Sequence, residues 1–88
     1  MKIVYTSQFK RDYKKAISRG KDLSLFYEVV DFLLKGLKLP PKYKVHNLSG
    51  KFRRHRDCHI ESDWILIYRI DRNTLFLERM GTHTDLFK

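Results

Sequence analysis

Apolar residues in the first part of the chain recur at helical spacing, whereas those near its end alternate or run together as strands do. Residues 2 to 5 read as a short edge strand. Phe9, Tyr13 and Ile17 then stand four apart, one face of a helix that Thr6 or Ser7 caps and Gly20 ends. Its opposite face carries Lys10, Arg11, Lys14, Lys15 and Arg19, a face for solvent or for an anion. Asp22 caps a second helix running to about Leu37, with a stripe of Leu23, Phe26, Val30, Leu33 and Leu37. Leu25, Val29 and Phe32 widen that stripe beyond the roughly 100° one core face needs. Either this helix is wedged deep in a small core, or a partner protein covers part of it. Gly36 and Pro40-Pro41 stop it.

From Lys42 the period changes. Phe52 to Ile60, Trp64 to Ile70 and Thr74 to Met80 read as three antiparallel strands. Glu61-Ser62-Asp63 and Asp71-Arg72-Asn73 supply the turns between them. The middle run is apolar on both faces apart from Arg69, which marks it as the central strand. The expected fold is α+β: a short N-terminal strand and two helices packed on one face of a twisted antiparallel sheet. The other face is left free for a site. Strand parity sends Cys58 and Ile60 toward the helices, and Asp57 and His59 onto the open, solvent-facing side.

Composition narrows the function. The 88 residues make one domain, 1–88, with a thin stability margin. A net charge of +9 calls for a polyanion or an acidic protein partner. Lys42, Lys44, Lys51, Arg53, Arg54 and Arg56 form a run without an acid, suited to phosphates. Tyr43 and Phe52 lie inside it, able to stack on unpaired bases or to join the core. The single Cys58 excludes an internal disulfide and fits a reducing compartment. Met1-Lys2-Ile3-Val4-Tyr5 does not read as a signal peptide, and no apolar run approaches the ~20 residues that cross a bilayer. A soluble cytoplasmic protein with no membrane partner is expected.

His55 and His59 would form a zinc pair on a helix, but on a strand their spacing separates them by about 13 Å. Cys58 faces away from His59. Neither a metal site nor a cofactor is expected. Metal-free RNA cleavage instead suits imidazoles, whose ordinary pKa of about 6.5 lets them take and give protons near neutrality. A cation must steady the phosphate as its charge grows. His46, His59, His83, Asp57, Asp63, Arg56 and Arg79 are the available groups, and composition alone does not bring them together.

Three motifs do more. His46-Asn47-Leu48-Ser49-Gly50, Arg56-Asp57-Cys58-His59-Ile60-Glu61-Ser62-Asp63-Trp64-Ile65-Leu66-Ile67-Tyr68 and Glu78-Arg79-Met80-Gly81-Thr82-His83-Thr84-Asp85-Leu86-Phe87 resemble the YafQ branch of the RelE/ParE toxin superfamily. The likeness covers nearly the whole chain. It implies a RelE-like fold and a ribosome-dependent mRNA endonuclease, monomeric when free, silenced by a cognate acidic antitoxin. By the same resemblance His46 is the candidate general base and His83 the candidate general acid, although the order of the two stays open. His59 and Asp63 contact or orient the scissile region, Asp57 is the neighbouring acid, and Arg79 holds the phosphate. Lys51, Arg53, Arg54, Arg56, Trp64 and Phe87 are the expected RNA contacts. More modest roles compete: Trp64 as a core residue, Phe87 as an anchor of the tail, Asp63 as a turn former. Phe52 stands where this branch commonly has tryptophan, and His55 has no counterpart. The alternatives are a non-catalytic ParE-like toxin that binds a topoisomerase, or a basic RNA-binding module.

Overall fold

The computed structural model describes residues 1–87. In chain order it runs β1 (Lys2–Tyr5), α1 (Ser7–Ser18), α2 (Leu23–Leu34), β2 (His46–Asn47), β3 (Arg56–Glu61), β4 (Trp64–Asp71), β5 (Thr74–Gly81) and α3 (His83–Phe87). Short 3-10 turns, Pro41–Tyr43 and Gly50–Phe52, flank β2. The strands form one five-stranded sheet in the order β1-β5-β4-β3-β2. The three long strands make the expected antiparallel meander, whereas β1 joins β5 in parallel, so the sheet is mixed. β1 does lie at an edge.

Local chemistry accounts for the boundaries. Thr6 caps α1 by accepting the Phe9 amide at 2.9 Å, and Asp22 caps α2 by accepting the Ser24 amide at 3.0 Å. The β4–β5 hairpin turns on Arg72 and Asn73, both with positive φ (49° and 60°), the backbone that a tight two-residue hairpin demands. β4 is central, and every residue from Trp64 to Tyr68 is buried.

One core lies between the helices and the sheet. Phe9, Phe26, Val29 and Leu33 meet Cys58, Trp64, Leu66, Leu75 and Leu77 there. Burial pushes the Cys58 thiol up to about 12, so it stays protonated and serves as an apolar filler. Several expectations shift. α1 buries Asp12 and Ala16 with Phe9, while Ile17 is 54% exposed. α2 ends at Leu34 because Gly36 takes a positive φ, which leaves Leu37 outside the helix and 53% exposed. Phe52 to His55 is not strand: Arg54 adopts a positive φ, the chain turns, and β3 begins only at Arg56.

The second sheet face is not fully open either. Ile65 and Ile67 are capped there by Leu86 of α3, with Leu48 and Phe52 packed alongside. This small second core fixes α3 and the 48–52 loop over the sheet. Both carry candidate site residues.

Beyond Tyr5 the β5 edge would be unpaired, and α1 closes it. The Thr6 hydroxyl donates to the Glu78 carbonyl at 2.8 Å. The Asp12 carboxylate accepts the Met80 amide at 3.0 Å, and Arg79 Nε and Nη2 at 2.9 and 3.0 Å. Asp12 is the only acid on a basic helix, and it is buried.

Candidate active site

Three imidazoles distant in the chain meet on the face opposite the helices. His46 comes from β2, His59 from β3, and His83 opens α3. The ring centroids of His46 and His59 are 6.2 Å apart, and those of His59 and His83 are 5.6 Å apart. The β2–β3 register sets His46 opposite Asp57, which brings Nδ1 to 3.5 Å from Asp57 Oδ1. Asp57 points to this face as its parity predicts, yet its side chain is only 8% exposed rather than solvated. Its Oδ1 has no hydrogen-bond donor among the described residues. A buried, unpaired carboxylate oxygen is costly and favours a nearby positive charge.

At the far end of the row, one oxygen of Asp63 accepts both the His83 amide and His83 Nδ1, each at 3.0 Å. The two bonds from His83, backbone first, hold the Asp63 carboxyl below its ordinary range, with Lys21 adding to the effect. An ionised Asp63 fixes the proton on Nδ1 and leaves Nε2 free to exchange one with a substrate. Asp63 therefore does more than shape its turn.

α3 is too short to be stable alone, so its position rests on Asp85. That carboxylate accepts the Thr82 amide at 3.0 Å and Arg19 Nη1 at 2.7 Å, with Lys15 Nζ at 3.4 Å. The Thr82 hydroxyl accepts the Asp85 amide in return, a reciprocal cap. Arg19 above all holds the Asp85 carboxyl far below its ordinary range. The basic face of α1 thus meets an internal acid as well as solvent. Gly81 is required here, because a Cβ at that position would stand 2.9 Å from Asp85 Oδ2. Gly81→Ala is expected to cost about 1–3 kcal/mol through displaced packing. A lower melting temperature would be the sign that α3 has moved.

The row of rings continues past His83. Phe87 lies 5.9 Å from it, Phe52 lies 6.2 Å from Phe87, and His55 lies 6.0 Å from Phe52. Lys51 Nζ sits 5.2 Å over the Phe52 ring. Phe87 is exposed and Phe52 is half-buried, so one edge of this aromatic track is open to bases. Arg53 and Arg54 are exposed beside it, and Arg56, also exposed, donates through Nε to Asn47 Oδ1 at 3.1 Å.

One expected site residue is placed elsewhere, and another is largely engaged by a partner. Trp64 is 1% exposed within the helix-side core, where Lys21 lies over its ring, so it has no surface to offer RNA. Alternation along β4 puts Trp64 on the helix side with Leu66 and Tyr68, while Ile65 and Ile67 take the other face. Arg79 turns its guanidinium to Asp12, which engages two of its three nitrogens and leaves Nη1 as the one available to a phosphate. Asp12, Gly81 and Asp85 are supporting residues that the motifs did not single out. The only signals were a lone acid in a basic helix and a Gly-Thr-His-Thr-Asp cap.

His46, Asp57 and His59 also offer donor atoms within 4.8 Å of one another, a set able to take a borderline metal ion. Two strands create this grouping, His46 from β2 and the Asp57–His59 pair from β3, so spacing along the chain does not reveal it.

Fold and site together describe a small, basic α+β protein whose open sheet face carries a row of imidazoles beside an aromatic, cationic track. Residues 1–88 match the family model described as a bacterial toxin of a type II toxin–antitoxin system, YafQ, and the chain belongs to that family. It is 42% identical over 86 residues to the mRNA interferase toxin YafQ of Escherichia coli K12, covering 97% of this chain and 94% of that one. The structure of the E. coli DinJ–YafQ complex superimposes with a TM-score of 0.91 at 41% identity, covering 98% and 97% of the two chains. A metal-bound toxin from Helicobacter pylori gives 0.92 at 42% identity, covering 99% of each.

Proposed function

We propose that this chain is the toxin of a type II toxin–antitoxin pair, a cytoplasmic endoribonuclease that cuts mRNA on the ribosome without a metal. The observation that carries the reading is the row of three imidazoles with a carboxylate at each end. The name of the E. coli relative, an mRNA interferase toxin, supports it.

In the proposed reaction, His46 takes the proton from a ribose 2′-hydroxyl, and Asp57 favours the imidazolium that forms. The 2′-oxygen attacks the adjacent phosphorus, and the bond from phosphorus to the 5′-oxygen breaks. His83 gives its Nε2 proton to that leaving oxygen while Asp63 holds the ring. The products are a 2′,3′-cyclic phosphate and a free 5′-hydroxyl. His59, between the two, and the unengaged Nη1 of Arg79 donate to the phosphate oxygens as charge grows there. Lys51, Arg53, Arg54 and Arg56 bind the backbone, and Phe52 and Phe87 stack the flanking bases. A ParE-like binder would need neither imidazole to be paired with an acid. Loss of growth inhibition when His46, His59 and His83 are all replaced supports the nuclease, and undiminished inhibition overturns it.

The donor set at His46, Asp57 and His59 gives this mechanism a second test. An ion seated there occupies the lone pairs that proton transfer requires. Cleavage of a defined mRNA is expected to persist with a chelator selective for transition metals, which leaves the ribosome's Mg²⁺ free, and to fall when Zn²⁺ is added in excess. Loss of activity in chelator, restored by metal, would contradict the metal-free route.

A further inference from the structure

On the imidazole face, past the end of the aromatic track, residues 48–55, the start of β3 and the end of β4 enclose a groove of about 530 Å³. The guanidiniums of Arg54, Arg56 and Arg69 line it, and no acid does among the described residues. Alternation along β4 puts Arg69 on the side of Ile65 and Ile67. Its guanidinium carbon lies 3.9 Å from the ring centre of Phe76, its partner in register on β5, a contact that holds the planar group in place. Asp71 accepts from Arg69 Nη1 at 3.3 Å, but that carboxylate is open to water and neutralises the group weakly. His55 joins groove to track: it lines the one and stands 6.0 Å from Phe52 at the end of the other.

We infer that this groove holds the mRNA strand on the 3′ side of the cut. The inference rests on the nuclease reading above and adds the direction in which the strand lies. His46 takes its proton from the 2′-hydroxyl, on the nucleotide 5′ of the cut, and His83 gives one to the 5′-oxygen of the nucleotide that leaves. The strand therefore runs 5′ to 3′ from His46, past His59, to His83. Phe87, Phe52 and His55 continue that row beyond His83 in ring-to-ring steps of 5.9, 6.2 and 6.0 Å, surfaces for the bases of the leaving side. A backbone that follows the rings reaches His55 and enters the groove, where guanidinium forks match phosphate oxygens. An acidic peptide would satisfy the same cations but would leave the rings that lead to them without a role.

The test uses the full chain on programmed ribosomes. The defined mRNAs carry either ordinary phosphates or uncharged methylphosphonates at the second and third linkages 3′ of the cut. On the charged mRNA, Arg69→Gln is expected to raise KM about tenfold, change kcat little and flatten the dependence on salt. Arg69→Lys, which keeps the charge, should recover part of that loss. On the uncharged mRNA, wild type and Arg69→Gln should share one KM, because the charges that Arg69 meets are gone. Arg54→Gln alters an exposed side chain and should show the same pattern, a second reading should Arg69→Gln loosen the fold. A loss with Arg69→Gln that persists on the uncharged mRNA would overturn the inference, since the groove would then meet something other than the downstream strand. Dependence on linkages 5′ of the cut instead would reverse the strand and overturn it as well, with the nuclease reading intact. Wild-type cleavage by Arg69→Gln, together with weaker binding of the acidic protein encoded beside its gene, would assign the groove to a peptide and overturn the inference. A wild-type chain that cuts neither mRNA would overturn the nuclease reading itself.

Discussion

Replacing His83 by alanine is expected to lower the rate of mRNA cleavage by about 10²–10⁴, with little change in the folded state. The imidazole is exposed, and its only polar contact among the described residues is to Asp63, so its removal opens no cavity in either core. What is lost is the proton for the leaving oxygen. Asp63→Asn separates the two parts of that claim. The amide can still meet the His83 backbone, but it no longer fixes the proton on Nδ1 or favours the imidazolium. Its rate should fall less than that of His83→Ala, and the combined variant should be no slower than His83→Ala alone. Additive losses would show that the two side chains act independently.

The largest effect on stability is expected at Asp12. Its carboxylate is buried and accepts from the Met80 amide and from two nitrogens of Arg79. Asp12→Ala leaves a guanidinium and an edge amide without a partner, at a cost of about 3–5 kcal/mol. For a chain of this length that lowers the melting temperature by roughly 15 °C or more. Asp12→Leu combined with Arg79→Leu should recover part of the loss in stability, since no buried charge then remains unpaired. It should not recover cleavage, because Arg79 Nη1 is also the cation offered to the phosphate. Thermal melts of the single and double variants distinguish this from a simple packing defect, which the second substitution would worsen.

Much of this arrangement was legible in the residues. Thr6 and Asp22 marked the helix starts, and the doubly apolar run from Trp64 placed the central strand. Parity put Asp57 and His59 on the face opposite the helices. Convergence was not legible from periodicity. His46 reaches His59 only through a two-residue strand too short to show a period, and His83 arrives on a five-residue helix that Asp85 pins in place. The resemblance to known toxins supplied that grouping. Trp64 follows the alternation of β4 into the core with Leu66 and Tyr68, whereas a lone acid on α1 captured most of Arg79. Leu37 diverged because Gly36 ended the helix before the stripe was complete. Such events depend on one residue's dihedral or partner, which a hydrophobic pattern averages away.

The central claim is that paired imidazoles, without a metal, move the protons that cut RNA. Its most direct test is primer extension and end analysis on a defined mRNA, translated on ribosomes with a chelator selective for transition metals that leaves Mg²⁺ free. The mRNA would carry either a 2′-hydroxyl or a 2′-O-methyl group at the cut position. The expected result is a cut with a 2′,3′-cyclic phosphate and a 5′-hydroxyl, absent both from the methylated mRNA and from reactions with the His46→Ala, His83→Ala double variant. Cleavage by that double variant at the wild-type rate, or cleavage of the methylated mRNA, would contradict it.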